Sequence, residues 1–426
     1  MGEVVVVGDW HLASVTSAGL LNLGYSVRGW DRDRDAREVL ETLGGTAGEP
    51  GVADVLATAA ADGRYVVLAD EVDLDQALGG AGLVVVAYDS RTTVDGEIDD
   101  SRSEDAVRAL LERGVSGPAI MLCSQVRAGT CERLLRSSGL PADSQALVHV
   151  PENLRLGSAL EDFLHPERLV VGCDAPELPP AVAELVARWK ARDIRRVRLV
   201  EAELVKHGTN VFLSMCIVFA NDLGWIAREL GADPVAVTEA VRADSRVSPK
   251  APLRPGQAYA GATLQRDVRA LWEVGELFGR DTLFAAVSRS NASHALAPVA
   301  LLDRILDGLY QRRVCLLGLT YKPGIATLRD SPALRLAKEL TAFGCTVTAH
   351  DPHAEQIALD AVDRHCTVSS AAAEADCVVL VTAHEEYRSL DLGSLPVRRP
   401  NLLNLCAAAS NLRGHDGWQL HDMWGK

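Results

Sequence analysis

The residues able to do chemistry in this chain are few and scattered. Lys206 and Asn210 stand four apart in "AELVKHGTN", so on a helix an ammonium and an amide share one face. Glu152, in "PENLRLG", and Asp267, in "YAGATLQRD", are single acids able to exchange a proton. The second of these stretches also carries Thr263, just behind Ala260, Gly261 and Ala262, whose small size lets a ligand approach the backbone. A threonine hydroxyl is a poor nucleophile without a base, and no histidine adjoins Thr263 in sequence. Taken singly, each of these residues reads equally well as solvated surface, and Thr263 as a pocket wall.

A second set of residues bears on phosphate. In "VVVVGDWHLA" an apolar run ends in Gly8, the first glycine place of a dinucleotide-binding turn, and a helical pattern follows. Trp10 holds the second glycine place, His11 follows it, and Ala13 holds the third. Alanine is tolerated at the third place, whereas a side chain at the second obstructs backbone approach to a pyrophosphate. Asp31, closing the next apolar run, suits the ribose hydroxyls of NAD better than the phosphate of NADP, although Arg32 and Arg34 stand nearby. NAD is therefore the expected cofactor. Arg246, Lys250 and Arg254 crowd the segment before Tyr259 and offer local cations to an anionic ligand.

These residues need elements to position them. "VVVVGDW" followed by "GYSVRGWD" is echoed by "VCLLGLT" followed by "GCTVTAHD", each a buried strand ending in glycine, a helix, and a second strand ending in an acid. Further Val/Leu runs at "YVVLAD", "LVVVAYD", "AIMLCS", "RLVVGC" and "DCVVLVTA" suit parallel sheets covered on both faces. The predicted fold is α/β: two Rossmann-like, doubly wound parallel-sheet domains joined by a long central helix and a helical dimerisation region. From 201 to about 230 apolar positions recur at helical spacing, with Gly208 and Gly224 as weak points in a single rod. The boundaries expected are 1–200 for the NAD-binding domain, 201–298 for the central helical domain and 299–426 for the second, C-terminal Rossmann-like domain.

Composition removes several classes. A net charge of −15 over 426 residues disfavours nucleic acid or an anionic membrane as partner. The apolar runs Val4–Val7 and Leu83–Ala87 are far shorter than the roughly 20 residues of a membrane helix, and the start of the chain does not read as a leader, so a cytoplasmic protein is expected. Nine cysteines without a Cys-x-x-Cys pair point to reduced thiols and to no structural metal site.

Four long motifs, "PENLRLGSALEDFLHPERLVVG", "AELVKHGTN…FAND", "RPGQAYAGATLQRD" and "LLGLTYKPGIATLRDSPAL", occur in one order. In that order the chain resembles the UDP-glucose/GDP-mannose dehydrogenase family over essentially its whole length. The resemblance implies NAD in the first domain, a nucleotide sugar as substrate, a homodimer through the central helix, and oxidation of a primary alcohol twice to a carboxylate. It implies that Lys206 stabilises the developing oxyanion, with Asn210 orienting it, that Asp267 works with a water in proton transfer, and that Glu152 lines the substrate pocket. It further implies substrate contacts at Asn153, Leu154, Arg155, Leu156, Arg254, Tyr259, Gly261, Tyr321 and Lys322. Arg246 would reach the neighbouring subunit's sugar, and Arg329 would contact the cofactor together with Gly8, Trp10, His11, Ala13 and Asp31.

The departures from the family pattern are informative. Thr263 stands where the family has its cysteine nucleophile, Leu156 where it has a second glutamate serving thioester hydrolysis, and Gln125 where it has a threonine after serine. Cys406 falls about where an aspartate-glycine-arginine segment contacts nucleotide or substrate, in a different domain from Thr263. A thiol is a few per cent ionised at neutral pH and an unassisted hydroxyl essentially never is. The first expectation is thus one hydride removed from a carbinol of a nucleotide-activated sugar, stopping at the ketone or aldehyde, in unusual-sugar or antibiotic biosynthesis. A redox-neutral dehydratase or epimerase that returns the hydride from retained NAD is the second. A non-catalytic homologue that binds a nucleotide sugar is the third.

Overall fold

A computed structural model describes residues 2–42, 48–92, 98–113, 117–260, 262–320, 323, 328, 331–353, 362–406 and 417–424. The chain packs into two units, Met1–Gly208 and Thr209–Lys426.

In the first unit the apolar runs form strands β1 (Glu3–Val7), β2 (Ser26–Trp30), β3 (Tyr65–Val67) and β4 (Leu83–Val86). A two-stranded antiparallel ribbon, β5 (Arg91–Thr92) and β6 (Ile98–Asp99), follows. Strands β7 (Ala119–Leu122), β8 (Leu147–His149), β9 (Arg168–Gly172) and β10 (Asp193–Val197) complete the set. The main sheet has the order β10-β9-β8-β7-β4-β1-β2-β3, parallel except where β8 meets β9 at His149 and Gly172. The β3-β2-β1-β4-β7-β8 portion is the doubly wound dinucleotide order, which reverses direction between β1 and β4. Alternate side chains of β1 enter two cores: Val4 and Val6 pack with Leu12, Val15 and Leu20 of the helix His11–Asn22. Val5 and Val7 pack on the other face with Leu74, Leu110 and Leu134. That two-sided burial is why the strand reads as unbroken valine.

The second unit repeats the plan. Strands β11 (Arg313–Leu317), β12 (Thr346–His350), β13 (Asp363–Arg364), β14 (Cys377–Leu380), β15 (Asn401–Asn404) and β16 (Gln419–Asp422) pair in the order β13-β12-β11-β14-β15-β16, all parallel. The duplication expected from sequence is therefore real. Ahead of this sheet lie the helices Pro234–Arg242, Ala262–Leu277, Phe284–Ala295 and Ala297–Leu306. Val211, Val218, Tyr259, Val268 and Val287 form the small core among them.

The helix Leu199–Glu229 runs 31 residues without a break, its glycines included. At Gly224 a Cβ would stand 3.0 Å from both Pro255 and Trp424, so the glycine admits a close contact rather than weakening a rod. By length and composition, with a mean hydropathy of 1.4 over an 18-residue window, this helix could also cross a membrane. Its buried Glu203, Lys206, His207, Asn210 and Asn221 have polar partners inside the protein, which is the pattern of a core helix. All nine cysteines are free.

Candidate active site

The first β-strand delivers the chain to a turn that only glycine can make. A Cβ on Gly8 would lie 2.3 Å from the Ala87 carbonyl oxygen and 2.8 Å from the Cβ of Ala13. Trp10 then occupies the cap position of the helix His11–Asn22 without a capping side-chain bond, and is 38% exposed. The first amides of that helix have no acceptor within the helix, the arrangement that favours an anion. One of them is already used: the Leu12 N–H donates to Asp89 Oδ2 at 2.9 Å. His11 stands beside it, 3.9 Å from Asp89 Oδ1 and 3.0 Å from Glu49 Oε1. Glu49 in turn accepts from the amides of Gly157, at 2.7 Å, and Ala159, at 3.2 Å, tying the "PENLRLG" segment to the turn.

Asp31 is buried at the end of β2, and burial raises its pKa against the lowering effects of the Asp33 amide, Tyr88 and Arg102. Arg102 donates to both Asp31 oxygens, at 3.2 and 3.3 Å, and to Asp9, while its guanidinium lies 4.9 Å above the Tyr88 ring. Arg91 joins Asp9 at 2.8 Å. Gly8, the first helix amides and an acid at the end of the second strand fit a dinucleotide, with Asp89 already on the Leu12 amide. In the second unit the corresponding strand end is occupied differently among the described residues. There Asp351 accepts from the Leu319 and Thr320 amides of its own turn, at 2.6 and 2.7 Å, and from His353 N at 2.8 Å. Burial would raise the Asp351 pKa, but these bonds and His384 at 3.2 Å hold it well below the usual carboxylate range.

Beyond β8 the "PENLRLG" segment brings Glu152 to Lys206: Nζ lies 3.3 Å from Oε1, and the ammonium is 6% exposed. The second Glu152 oxygen accepts from Leu154 N at 2.8 Å. Asn153 donates to the Pro151 carbonyl at 3.3 Å. Arg155 is exposed and spent on Asp162, while Leu156 is 38% exposed. Behind Lys206, Gln125 Nε2 lies 3.1 Å from His207 Nδ1, and His207 Nε2 lies 2.9 Å from the Val126 carbonyl. A carbonyl can only accept, so Nε2 carries a proton and the Gln125 amide faces Nδ1.

In the second unit, one helical turn after Lys206, Asn210 Nδ2 donates to Asp267 Oδ2 at 2.5 Å, and both are buried. Asp267 lies on the helix Ala262–Leu277, whose second residue, Thr263, is exposed one turn ahead of it. Tyr259 is buried, its hydroxyl donating to Gln265 at 3.0 Å, and burial pushes its pKa up to about 12. Arg246 is exposed and doubly bonded to Asp244, both contacts 2.9 Å, and Arg254 is exposed. Gly261, Tyr321, Lys322 and Arg329 lie outside the described residues. Cys406 donates to the Val381 carbonyl at 2.9 Å, and burial pushes its thiol up to about 12.

Sequence reasoning passed over Asp9, Asp89, Glu49, Arg91 and Arg102. A signal existed for two of them: Asp9 and Asp89 each follow a buried strand within three residues, at the carboxyl ends where doubly wound sheets bind ligands.

Known proteins agree with this architecture. Residues 2–190 match the NAD binding domain of the UDP-glucose/GDP-mannose dehydrogenase family, 200–293 its central domain and 315–403 its UDP binding domain. A UDP-glucose 6-dehydrogenase from Rhizobium meliloti is 28% identical over 421 residues, covering 95% of this chain and 94% of that protein. The structure of a UDP-glucose dehydrogenase from the archaeon Pyrobaculum islandicum superposes with a TM-score of 0.86 at 27% identity, covering 100% of this chain and 98% of that one. A UDP-D-ManNAc dehydrogenase from Pyrococcus horikoshii shares the fold, with a TM-score of 0.85 at 22% identity over 99% of each chain. With all three family domains in order along its length, the chain belongs to the UDP-glucose/GDP-mannose dehydrogenase family of NAD-dependent nucleotide-sugar dehydrogenases.

Proposed function

We propose that this enzyme removes one hydride from a secondary alcohol of a UDP-sugar and releases the ketone. The observation that carries the reading is the position one helical turn ahead of Asp267, where Thr263 offers an exposed hydroxyl and no thiol. NAD, when bound, supplies the hydride acceptor. The chain's own residues do the rest. Lys206, held by Glu152 and largely shielded from water, supplies positive charge to the oxygen as its proton departs. Asp267, oriented by Asn210, receives that proton through a water. The C–H hydride would pass to NAD and the O–H proton to solvent, leaving a C=O. A ketone has no further hydrogen to lose at that carbon, so neither a trapping thiol nor a hydrolytic glutamate is required, in keeping with Thr263 and Leu156.

UDP is the nucleotide favoured by the match of residues 315–403 to a UDP binding domain. The relatives that oxidise UDP-glucose or UDP-ManNAc make these two sugars the first to try, while a ketone product places the enzyme in unusual-sugar assembly, as for antibiotics, rather than uronate supply. In this reading 1–200 binds NAD, 201–298 mediates dimerisation and 299–426 holds the nucleotide sugar, in the cytoplasm. Phe212, Phe219 and Ile226, seven apart on the long helix and 55, 50 and 47% exposed, supply the dimer seam.

The test is to incubate the full chain with NAD and a panel of UDP-sugars, counting NADH and identifying the product. One NADH per sugar with a keto-sugar is expected. Two NADH per sugar with a uronate would overturn the proposal, and product without NADH would replace it with a redox-neutral reaction.

A further inference from the structure

The turn after β1 contains an anion of the protein's own. Asp89 arrives from the far side of the sheet's switch point, three residues beyond β4, and places Oδ2 2.9 Å from the Leu12 amide. Leu12 is the second residue of the helix His11–Asn22, whose first turn holds no acidic residue and whose cap, Trp10, contributes no side-chain acceptor. The amides there would otherwise have only solvent or a ligand to satisfy them. In a dinucleotide-binding domain that ligand is the cofactor pyrophosphate.

We propose that Asp89 sets cofactor affinity by occupying the pyrophosphate seat as an internal anion, which NAD must displace to bind. The charges around it make the seat suited to either occupant. His11, backed by Glu49 at 3.0 Å, faces the Asp89 carboxylate at 3.9 Å. Asp9 and Glu152 repel it, and Arg91 and Arg102 are committed to Asp9. Burial raises the Asp89 pKa above its ordinary value, with Asp9 and Glu152 adding to the rise and the Leu12 amide and His11 opposing it. When NAD enters, Asp89 swings off Leu12, and the Leu12 amide and His11 turn to the phosphate oxygens. The cofactor is then held against a competitor and exchanges readily, as an enzyme that releases NADH on each turnover requires.

The proposal rests on NAD binding at the first turn and not on where oxidation stops. The experiment measures equilibrium binding of NAD, and separately of adenosine, to the full wild-type chain, to Asp89→Ser, which keeps a capping oxygen, and to Asp89→Asn, which keeps the shape. Removing a charge-assisted bond of this kind is expected to tighten NAD about tenfold in both variants. Adenosine, which has no phosphate, is expected to bind all three proteins equally. NAD affinity that is unchanged or weaker in the asparagine variant, with thermal unfolding as in wild type, overturns the proposal and leaves the NADH count of the proposed reaction untouched. Adenosine tightening in parallel with NAD overturns it too, since the effect would then not be at the phosphates.

Discussion

In the proposed reaction Thr263 decides what the site can hold, because covalent capture needs a nucleophile and the cysteines are ill placed to supply one. Seven of the nine cysteines are buried, Cys406 is half-buried with its thiol pushed up to about 12, and only Cys366 is exposed. Turnover is therefore expected to survive iodoacetamide at pH 8, with label found on Cys366 by peptide mass mapping; inactivation in step with labelling would restore a thiol mechanism. Thr263→Cys places a thiol at an exposed position on the first turn of a helix, where the dipole favours a thiolate. That variant is expected to label at position 263 and lose activity on labelling. Lys206→Met tests the other half of the chemistry. It leaves Glu152 without its cation and removes the charge at the developing oxyanion, so kcat is expected to fall about 10²–10³-fold with NAD affinity unchanged by titration.

At the scale of elements, glycines show which contacts the sequence had to preserve. In the helix His11–Asn22 a Cβ on Gly19 would lie 2.1 Å from the Phe163 ring, whereas one on Gly208, in the long helix, would meet nothing within 4 Å. Gly19→Ala is expected to cost about 1–3 kcal/mol by overpacking, and Gly208→Ala to stabilise by about 0.5–1 kcal/mol through helix propensity. Urea denaturation of the two variants against wild type checks both signs. The same physics explains how much was legible beforehand. Strands such as β1, β4 and β14, buried on both faces, announced themselves as valine and leucine runs, and the long helix by its period, to within two residues of Leu199 and Glu229. The edge strands β10 and β16 did not, because exposed Arg195, Arg196 and Gln419 give them the composition of loops. Lys206, Asn210 and Asp267 were legible as members of long motifs. Asp89 on Leu12 and Arg102 on Asp9 were not, because these partners lie 77 and 93 residues apart and no local pattern records which strand ends the sheet order brings together.

For the whole molecule, the acid limit of stability follows from groups the reaction does not use. His149, at the end of β8, is buried with Nδ1 donating to the Leu122 carbonyl at 2.9 Å, and burial lowers its pKa from 6.5 to about 4, with that carbonyl opposing and His207 adding to the shift. A histidine whose folded pKa is depressed lets the unfolded chain bind a proton first. Its contribution is therefore fully present above about pH 6.5 and is lost as pH falls toward 4. The full loss is about 3 kcal/mol, a large share of the 5–15 kcal/mol typical of a domain. Asp351 in the second unit acts lower on the scale: its depressed folded pKa gives stability that persists until pH drops beneath the ordinary carboxylate value of 3.8. His294, His350 and His421 in the second unit, whose pKa values burial also lowers, act in the same direction as His149. His149→Asn keeps a donor for Leu122 and does not titrate, so the gap between the urea midpoints at pH 7 and pH 4.5 is expected to be narrower in the variant than in wild type. An equal fall in both proteins would assign the acid sensitivity to other groups and remove His149 as its source.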